Sequence, residues 1–375
     1  MSPDLLSGLI LLGLALPLLA GCLALGLGQR SSSNTLVQML FLISSIAGGV
    51  GALGALSGLL LGAFKATVLM IPWLPFTATL DVWSLFFLTL IHLGVFLASL
   101  FAIGYLPKYA ETYSFTSLNV ATALFVVGMQ ATVLASSVFV FLFFWEVMSV
   151  AAYFLVIADR EEASLKAGFI YFVMTHIGVA CLFAGFFLLA QGDTAATFAS
   201  LNAGIVGLPA PIVATAFFLL LAGFGSKAGL VPLHQWLPHA HPQAPSHSSA
   251  LMSGVMLKVA LYGFLRVVLF ILPPIGTTAS LIVLGFGLLS ALYGVLYAVV
   301  ERDFKRTLAF SSIENIGLIF TMVGVAFFAQ SQGLEGLYQT ALIAAVFFAI
   351  LNSSSRKATH ARYARTAPSC ARAPR

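Results

Sequence analysis

FFLLLAGFGSKAGLVPLHQWLPHAHPQAPSHSSALMSGVMLKVALYGFLR, residues 217–266, contains two lysines in otherwise apolar segments, Lys227 and Lys258. Residues that break or bend helices interrupt the first segment: Gly225, Gly229 and Pro232. A charged side chain at the centre of a bilayer costs about 3 kcal/mol or more, so it persists only where it faces protein or water. Irregular backbone at that depth is tolerated only where it is buried or lines a cavity. The stretch therefore predicts a broken membrane helix beside a polar path.

The composition of the whole chain excludes a soluble protein. Of its 375 residues, 60% are hydrophobic and only 8% are charged, whereas about a quarter of the residues of a soluble domain are charged. The net charge of +5 depends on six basic residues after Asn352, so it does not indicate a nucleic-acid partner. The three cysteines, Cys22, Cys181 and Cys370, have no paired spacing and predict neither disulfides nor a metal site.

Apolar runs long enough to cross about 30 Å of hydrocarbon predict the architecture. They indicate an all-α polytopic membrane protein with about eleven transmembrane helices, at residues 5–28, 36–64, 82–105, 115–135, 137–158, 165–190, 209–230, 245–271, 276–300, 304–329 and 333–352. The seventh of these spans is the one that the glycines and the proline interrupt. The lipid bilayer is therefore the surrounding medium of most of the chain.

The distribution of basic residues predicts the topology. The connections after the odd-numbered spans contain most of them, Arg30, Lys108, Arg160, Lys166, Arg302, Lys305 and Arg306, whereas the opposite side has only Lys65. By the positive-inside rule, the odd connections are cytoplasmic and the N-terminus is outside. Residues 71–87, with two prolines and two tryptophans, then predict a short extracytoplasmic hairpin that returns into the membrane at Asp81.

Ionisable residues inside the predicted spans are few, and they mark candidate functional positions. Glu146 lies in the middle of the fifth span and Glu314 in the middle of the tenth. A carboxylate and an ammonium can share a buried site if they pair, which predicts a direct contact between Glu146 and Lys227. The histidines that could supply accessory titratable groups are His176, His241 and His247.

Each of these positions also has a purely structural interpretation. A buried glutamate–lysine pair can simply lock two helices together, and Arg266 is expected to extend to the membrane interface. His92 and His176 are typical of packing residues on apolar faces. The four histidines that follow the broken helix have no cluster of carboxylates or cysteines beside them, which disfavours a metal site. Asp303 is either an accessory group of the polar path or part of a solvated loop that begins the tenth span.

Buried lysines and carboxylates joined by water form a proton relay, and histidines exchange protons near neutral pH. Proton translocation is therefore the leading function, while a sodium or substrate transporter and a packed helical anchor for a peripheral enzyme remain open. The break at Gly225, Gly229 and Pro232 could hold waters on unpaired backbone groups or move as a gate. The sequence has no nucleophile constellation and no cofactor fingerprint, so no cofactor is predicted.

Three motifs resemble the proton-conducting antiporter-like subunits of respiratory complex I, multi-subunit cation/proton antiporters and membrane-bound hydrogenases. FFWEVMSVAAYFL resembles the glutamate motif of the fifth helix, at Glu146. GFGSKAGLVPLHQWLPHAHPQAPSHSSALMSGVMLKVALYG resembles the block that contains both lysines, Lys227 and Lys258, and DFKRTLAFSSIENIG resembles the segment after the ninth helix. The resemblance covers most of residues 1–350 and implies that these residues relay protons.

The motif SSIENIG, with Glu314 and Asn315, is most similar to the branch that contains hydrogenase 4 component B and formate hydrogenlyase subunit 3. The resemblance implies a subunit without a redox centre, in the inner membrane of a prokaryote. Its implied partners are other membrane subunits and a peripheral nickel–iron hydrogenase or related oxidoreductase module. Subunits of a complex I-like NADH-quinone oxidoreductase or of a multi-subunit Na+/H+ antiporter are the alternatives.

The family also implies inverted five-helix repeats. These divide the chain into an N-terminal three-helix segment, a first repeat, a partial second repeat and a basic tail, at residues 1–114, 115–271, 272–352 and 353–375. Glu146 and Glu314 then lie on the second helix of their respective repeats. Glu314 is accordingly the expected carboxylate of a second half-channel.

The end of the sequence departs from the family pattern. After FFAILN the family continues with a histidine, a lysine and further spans, whereas SSSRKATHARYARTAPSCARAPR is rich in Arg, Ala, Ser and Pro. We expect a frameshifted or truncated product whose second repeat lacks its broken helix and its lysine. A genuine basic tail that binds anionic lipid is the alternative.

Overall fold

A computed structural model of the chain describes residues 1–28, 31–65, 67–70 and 77–366, with the backbone alone for residues 31–33, 67–70 and 351–366. Within these residues, ten helices are long and apolar enough to cross a membrane. The predicted all-α polytopic fold is therefore confirmed. Their apolar surfaces face outward over much of their length, as expected where the hydrocarbon of the bilayer replaces water as the solvent.

The long helices begin and end close to the predicted limits. They are α1 (Pro3–Leu27), α2 (Ser31–Leu60), α3 (Val82–Tyr105), α4 (Phe115–Leu134), α5 (Val138–Val156), α6 (Glu162–Ala190), α8 (Ala210–Ala228), the composite of α10 (Ser246–Leu251) and α11 (Leu257–Phe270), α12 (Thr277–Val300) and α13 (Phe304–Ser331). Two short helices that the hydropathy pattern does not predict lie between them, α7 (Phe198–Gly204) and α9 (Trp236–Gln243).

The predicted eighth span is not one continuous α-helix. A π-helix, Met252–Met256, separates α10 from α11. Each backbone hydrogen bond of a π-helix spans five residues instead of four, so the segment accommodates one residue more than an α-helical turn, and such segments are frequent at functional sites. Lys258 follows it directly, as the second residue of α11.

The eleventh predicted span corresponds to the beginning of α14 (Glu335–Thr366). Its apolar part, Glu335–Ile350, is shorter than the other spans. At 1.5 Å per residue it extends about 24 Å, less than the thickness of the hydrocarbon. In the predicted tail, the backbone of α14 continues to Thr366, and residues 367–375 lie outside the described part, so the expected frameshift stays a prediction.

The predicted hairpin before the third span is a short antiparallel pair of strands, β1 (Thr67–Met70) and β2 (Thr77–Leu80). Residues 71–76, which connect the strands, lie outside the described part of the chain. Asp81 then caps α3, because its carboxylate accepts the N–H of Ser84 while the Ser84 hydroxyl accepts the N–H of Asp81. Two donors at the helix start are satisfied reciprocally.

Glycines bring helix backbones into close contact at several places, of which two are examples. A Cβ atom added to Gly51, on α2, would lie 3.0 Å from the backbone nitrogen of Ile10 on α1. A Cβ atom added to Gly294, on α12, would lie 2.3 Å from the backbone nitrogen of Glu314 on α13. The glycine-rich stretches therefore serve close helix packing, as small residues commonly do in membranes.

Candidate functional site

The ammonium of Lys227 is buried and bound by hydroxyl groups from two other helices. Lys227 is 2% exposed, and its Nζ donates to Ser149 Oγ on α5 at 2.9 Å and to the Tyr171 hydroxyl on α6 at 2.7 Å. The two hydroxyls in turn donate to backbone carbonyls, of Trp145 and Ser149 respectively. Because both hydroxyl protons point at carbonyls, both oxygens present lone pairs to Nζ. The pocket therefore offers Nζ two hydrogen-bond acceptors, which both the ammonium and the neutral amine can use.

The predicted direct contact between Glu146 and Lys227 is not formed. Ser149 lies three residues after Glu146, on the same face of α5, and its hydroxyl occupies the position beside the ammonium. Glu146 still interacts electrostatically with the Lys227 ammonium. Its carboxylate faces His176 on α6 instead, where Nε2 lies 3.6 Å from Oε2.

Glu146 and His176 face each other from two neighbouring helices, α5 and α6. His176 Nδ1 lies 2.8 Å from the carbonyl oxygen of Phe172, and a carbonyl can only accept, so Nδ1 carries hydrogen. Nε2 is then the ring nitrogen that faces the carboxylate. The side chains are 27% and 35% exposed, so this group lies at the lateral surface of the chain. The His176 ring also packs on Phe172, with centroids 3.8 Å apart, so both the packing role and the accessory role of His176 stay predictions.

The break after α8 is closed by the protein itself. Gly229 has a left-handed backbone, with φ of +83°, and its N–H donates to the carbonyl of Gly225 at 2.9 Å. The indole N–H of Trp236 donates to the carbonyl of Ser226 at 2.8 Å. The expectation that the break leaves these backbone groups unpaired is therefore wrong for Gly225 and Ser226. Pro232 follows in the connection to α9.

Trp236 separates the surroundings of Lys227 from the histidines of the next segment. Its ring contacts Tyr171, with centroids 5.1 Å apart, and His241, with centroids 6.3 Å apart. His241 Nδ1 lies 2.9 Å from Ser249 Oγ on α10. The rings of Tyr171 and Trp236 therefore lie between Lys227 and His241.

His247 on α10 and Lys258 on α11 are also buried polar groups. Lys258 is 3% exposed, and its Nζ donates to the carbonyl of Ser253, in the π-helix, at 3.0 Å. His247 is buried, with Nε2 3.2 Å from the hydroxyl of Ser248. Both predicted residues therefore face the protein interior and not the acyl chains.

Two predicted site residues have different surroundings. Glu314 is partly exposed on α13, and its carboxylate takes part in none of the ion pairs found among the described residues. Asp303 is exposed and caps α13 by accepting the N–H of Arg306 at 2.8 Å. Its geometry agrees with the interpretation as a helix start, and the structure does not bring it together with the buried row.

Arg266 and His92 also differ from expectation. Arg266 does not extend into solvent: it is 7% exposed and forms an ion pair with Asp81, at the start of α3. The hydrophobic surroundings make a paired guanidinium more favourable there than an isolated one. His92 packs beside Gly13 and Gly48, as predicted, but its Nδ1 has no hydrogen-bond partner among the described residues.

Sequence reasoning missed Ser149, Tyr171 and Trp236, which surround Lys227. Ser149 could have been found from its position one turn after Glu146 on α5. Tyr171 and Trp236 carry no such signal, because aromatic residues are frequent throughout this chain. Within the residues described, no group of three or more His, Cys, Asp or Glu side chains could hold a metal ion.

Comparison with known sequences gives a consistent relationship. A family model described as NADH:quinone oxidoreductase/Mrp antiporter, TM, matches residues 135–369, more than half of the chain. Hydrogenase-4 component B of Escherichia coli is 38% identical over 273 residues, which are 72% of this chain and 40% of that relative. NADH-quinone oxidoreductase subunit M of Rickettsia bellii is 27% identical over 271 residues, 71% of this chain and 52% of that relative. The chain thus spans about half or less of these relatives.

Comparison with solved structures gives the same fold. A chain in the structure of an Mrp complex from Dietzia sp. superimposes with a TM-score of 0.73 and 24% sequence identity, covering 94% of this chain and 65% of that chain.

Proposed function

The chain belongs to the NADH:quinone oxidoreductase/Mrp antiporter transmembrane family, and on that premise we propose that it is a proton-translocating membrane subunit of a hydrogenase-type complex. The resemblance to this family read from the motifs is confirmed by the family match and by the similarity to hydrogenase-4 component B. The observation that carries the proposal is the buried ammonium of Lys227, which is held by two hydroxyls and interacts electrostatically with a carboxylate. An intramembrane ionisable group of this kind indicates function by default.

In the proposed mechanism, the charge state of Glu146 governs proton release by Lys227. While Glu146 is ionised, its carboxylate attracts the Lys227 ammonium. A proton that binds this carboxylate removes the attraction, and the ammonium then favours transfer of its own proton to a neighbouring acceptor. Because the hydroxyls of Ser149 and Tyr171 point at carbonyls, they must rotate to pass that proton on.

Beyond Lys227, the proposed path reaches His241, His247 and Lys258. Trp236 lies between Lys227 and His241, so a proton crosses this point only when water enters or the ring moves. We propose that the closed break at Gly225, Gly229 and Pro232 acts as a gate, because its movement would displace the Trp236 ring or admit water.

Glu314 is proposed as the carboxylate of a second half-channel, in a partial inverted repeat at residues 272–352. Its support is its mid-helix position on α13 and the lack of any ion pair to it in the described residues. A group without a cation of its own is free to receive one from another chain or segment. Glu314→Gln should reduce proton transfer in the assembled complex, and normal transfer would remove Glu314 from the path.

The proposed setting is the inner membrane of a prokaryote, with the N-terminus outside. The proposed partners are other membrane subunits and a peripheral hydrogenase or related oxidoreductase, as in a hydrogenase 4 or formate hydrogenlyase complex. The similarity to hydrogenase-4 component B supports this setting. Nickel–iron and redox chemistry belong in this proposal to the peripheral partner.

Substitution of Lys227 tests the function most directly. The complex purified through this chain is reconstituted into liposomes, and assembly and proton flux are measured separately. Lys227→Gln should leave assembly near normal and lower the flux at least ten-fold, since the amide of glutamine can form hydrogen bonds but cannot bind and release a proton near neutral pH. Unchanged flux in an assembled complex would favour a structural anchor.

A second candidate is a subunit of a NADH-quinone oxidoreductase or of a cation/proton antiporter. The similarity to NADH-quinone oxidoreductase subunit M favours it, although at lower identity than the hydrogenase relative. The proton path would be the same, and the redox partner would differ. Identification of the proteins that co-purify with the chain separates the two candidates.

A further inference from the structure

Lys305 connects the beginning of α13 to the end of α9. Its Nζ donates to the backbone carbonyls of Pro242 and Ala244, each at 3.0 Å. Lys305 is the second residue of α13, and Ala244 is the residue immediately after α9. The side chain is partly buried, which differs from the solvated loop that the sequence predicts for residues 301–306.

The position of the ammonium has a clear physical effect on α9. The last carbonyls of a helix have no partner within the helix and carry the negative end of its dipole. The Lys305 ammonium donates to the carbonyls of Pro242 and Ala244 at the same time. Two hydrogen bonds, one to the last turn of α9 and one to the residue after it, also fix the direction in which the chain leaves α9 and enters α10.

The residues that this contact fixes belong to the proposed proton path. His241 lies in the last turn of α9, and His247 is the second residue of α10. They flank the two carbonyls that Lys305 binds. Lys305 is also close enough to His247 for an electrostatic interaction, and the acidic groups that face Lys305 are Asp303 and Asp159.

We propose that Lys305 is a positioning residue for proton transfer: it holds the junction of α9 and α10 so that His241 and His247 keep the alignment the path requires. The inference rests on the proposed function. Lys305 acts through the backbone and is not itself a member of the relay. Because Lys305 and Glu314 both lie on α13, the helix of the proposed second half-channel also supports the path through Lys227.

Hydrogen–deuterium exchange of the full chain in lipid nanodiscs tests the contact without reference to transport. In Lys305→Met, amides of residues 236–251 should exchange about ten-fold faster, because the junction opens locally more often. Lys305→Arg should restore the rate, since a guanidinium can donate to both carbonyls. The matched control is Arg302→Gln, which removes a positive charge from an exposed neighbour and should leave the exchange unchanged.

Proton flux per inserted complex then tests the positioning role. The flux should fall about ten-fold in Lys305→Met, return to within two-fold in Lys305→Arg and stay normal in Arg302→Gln. Unchanged exchange in Lys305→Met overturns the contact, and faster exchange with normal flux overturns the positioning role. If the unsubstituted complex carries no flux, the proposed function and the positioning role fall together, while the exchange rates still decide whether the contact exists.

Discussion

Lys227 and Lys258 are both almost completely buried, yet different parts of the protein bind their ammonium groups. Lys227 donates to side-chain hydroxyls that belong to two other helices. Lys258 donates to a backbone carbonyl of the π-helix just before it. The first site therefore depends on the relative positions of three helices, whereas the hydrogen bond from Lys258 to Ser253 depends on the conformation of the helix that contains them both.

The difference suggests how the two lysines can respond separately. A small displacement of α5 or α6 changes the hydrogen bonds of Lys227, each of which is worth roughly 1.5–3 kcal/mol because one partner is charged. The same displacement leaves the Ser253 carbonyl in place beside Lys258. In the proposed path, Lys227 is thus the group that senses helix movement, and Lys258 is the group with a fixed local acceptor.

Removal of both hydroxyls at the first lysine should give the largest difference between the two sites. We expect the double substitution Ser149→Ala and Tyr171→Phe to lower the proton flux of the assembled complex at least ten-fold, because the ammonium loses two hydrogen bonds in a buried site. Ser253→Ala is the matched control at the second lysine and should change the flux less than about two-fold, since the carbonyl remains. Equal losses of flux in the double variant and in Ser253→Ala would show that the two lysines do not differ in their dependence on side-chain hydroxyls.

Deletion of Gly254 tests the second lysine by its own mechanism. One residue fewer should convert the π-helix into an α-helical turn, in which the Ser253 carbonyl lies four residues before Lys258 and accepts the backbone N–H of Lys258 instead of binding its ammonium. We expect about a ten-fold loss of flux with the Lys227 site intact, measured per inserted complex. Val255→Ala keeps the residue count and should have little effect. Normal flux after the deletion would show that the local carbonyl is unimportant for Lys258.

Glu146 affects the first lysine through its charge and not through a hydrogen bond. Glu146→Gln leaves the hydroxyls around Lys227 but removes an attraction of roughly 1 kcal/mol or more, so the flux should fall about five-fold. Glu162→Gln, at an exposed ion pair with Lys166 on α6, is the control and should leave the flux unchanged. A loss as large as that for Lys227→Gln would mean that the carboxylate itself carries the proton past Lys227.

The smallest expected effect separates two histidines of the segment between the lysines. His241→Gln should lower the flux about two-fold, because a neutral hydrogen bond contributes roughly 0.5 kcal/mol at the low end. His239 is exposed, outside the spans, and burial of part of its ring and the charge of Arg306 lower its pKa. His239→Gln should leave the flux unchanged. Equal losses would show that the path does not run through His241.

The same Arg306 gives a check on His239 by titration. Because the positive charge disfavours the imidazolium, Arg306→Gln should raise the pKa of His239, observed by nuclear magnetic resonance in detergent micelles. Proton flux should not follow this titration. A flux that changed with the charge of His239 would place the start of the path at this histidine instead.

Much of the framework follows from the sequence. The ten long helices, the break at Gly229 and the inward positions of Lys227 and Lys258 agree with the hydropathy and charge patterns. The partner of Glu146 could not be derived, because periodicity assigns residues to a helix face but gives no distance across the interface. The π-helix could not be predicted either, since MSGVM is an ordinary apolar run. The contact of Lys305 joins residues far apart in the chain, which no local pattern encodes.

The close fit of α12 against α13 has a mechanical consequence. Positions Gly287, Gly294, Gly317 and Gly324 leave no room for even one methyl group, because backbone atoms of the opposite helix lie within 3 Å of the added Cβ. Two helices meshed in this way along their length move as one rigid body. The two helices then do not slide past each other. A displacement of α13 at the contact between Lys305 and the end of α9 is therefore transmitted along about 42 Å of helix to the opposite membrane surface.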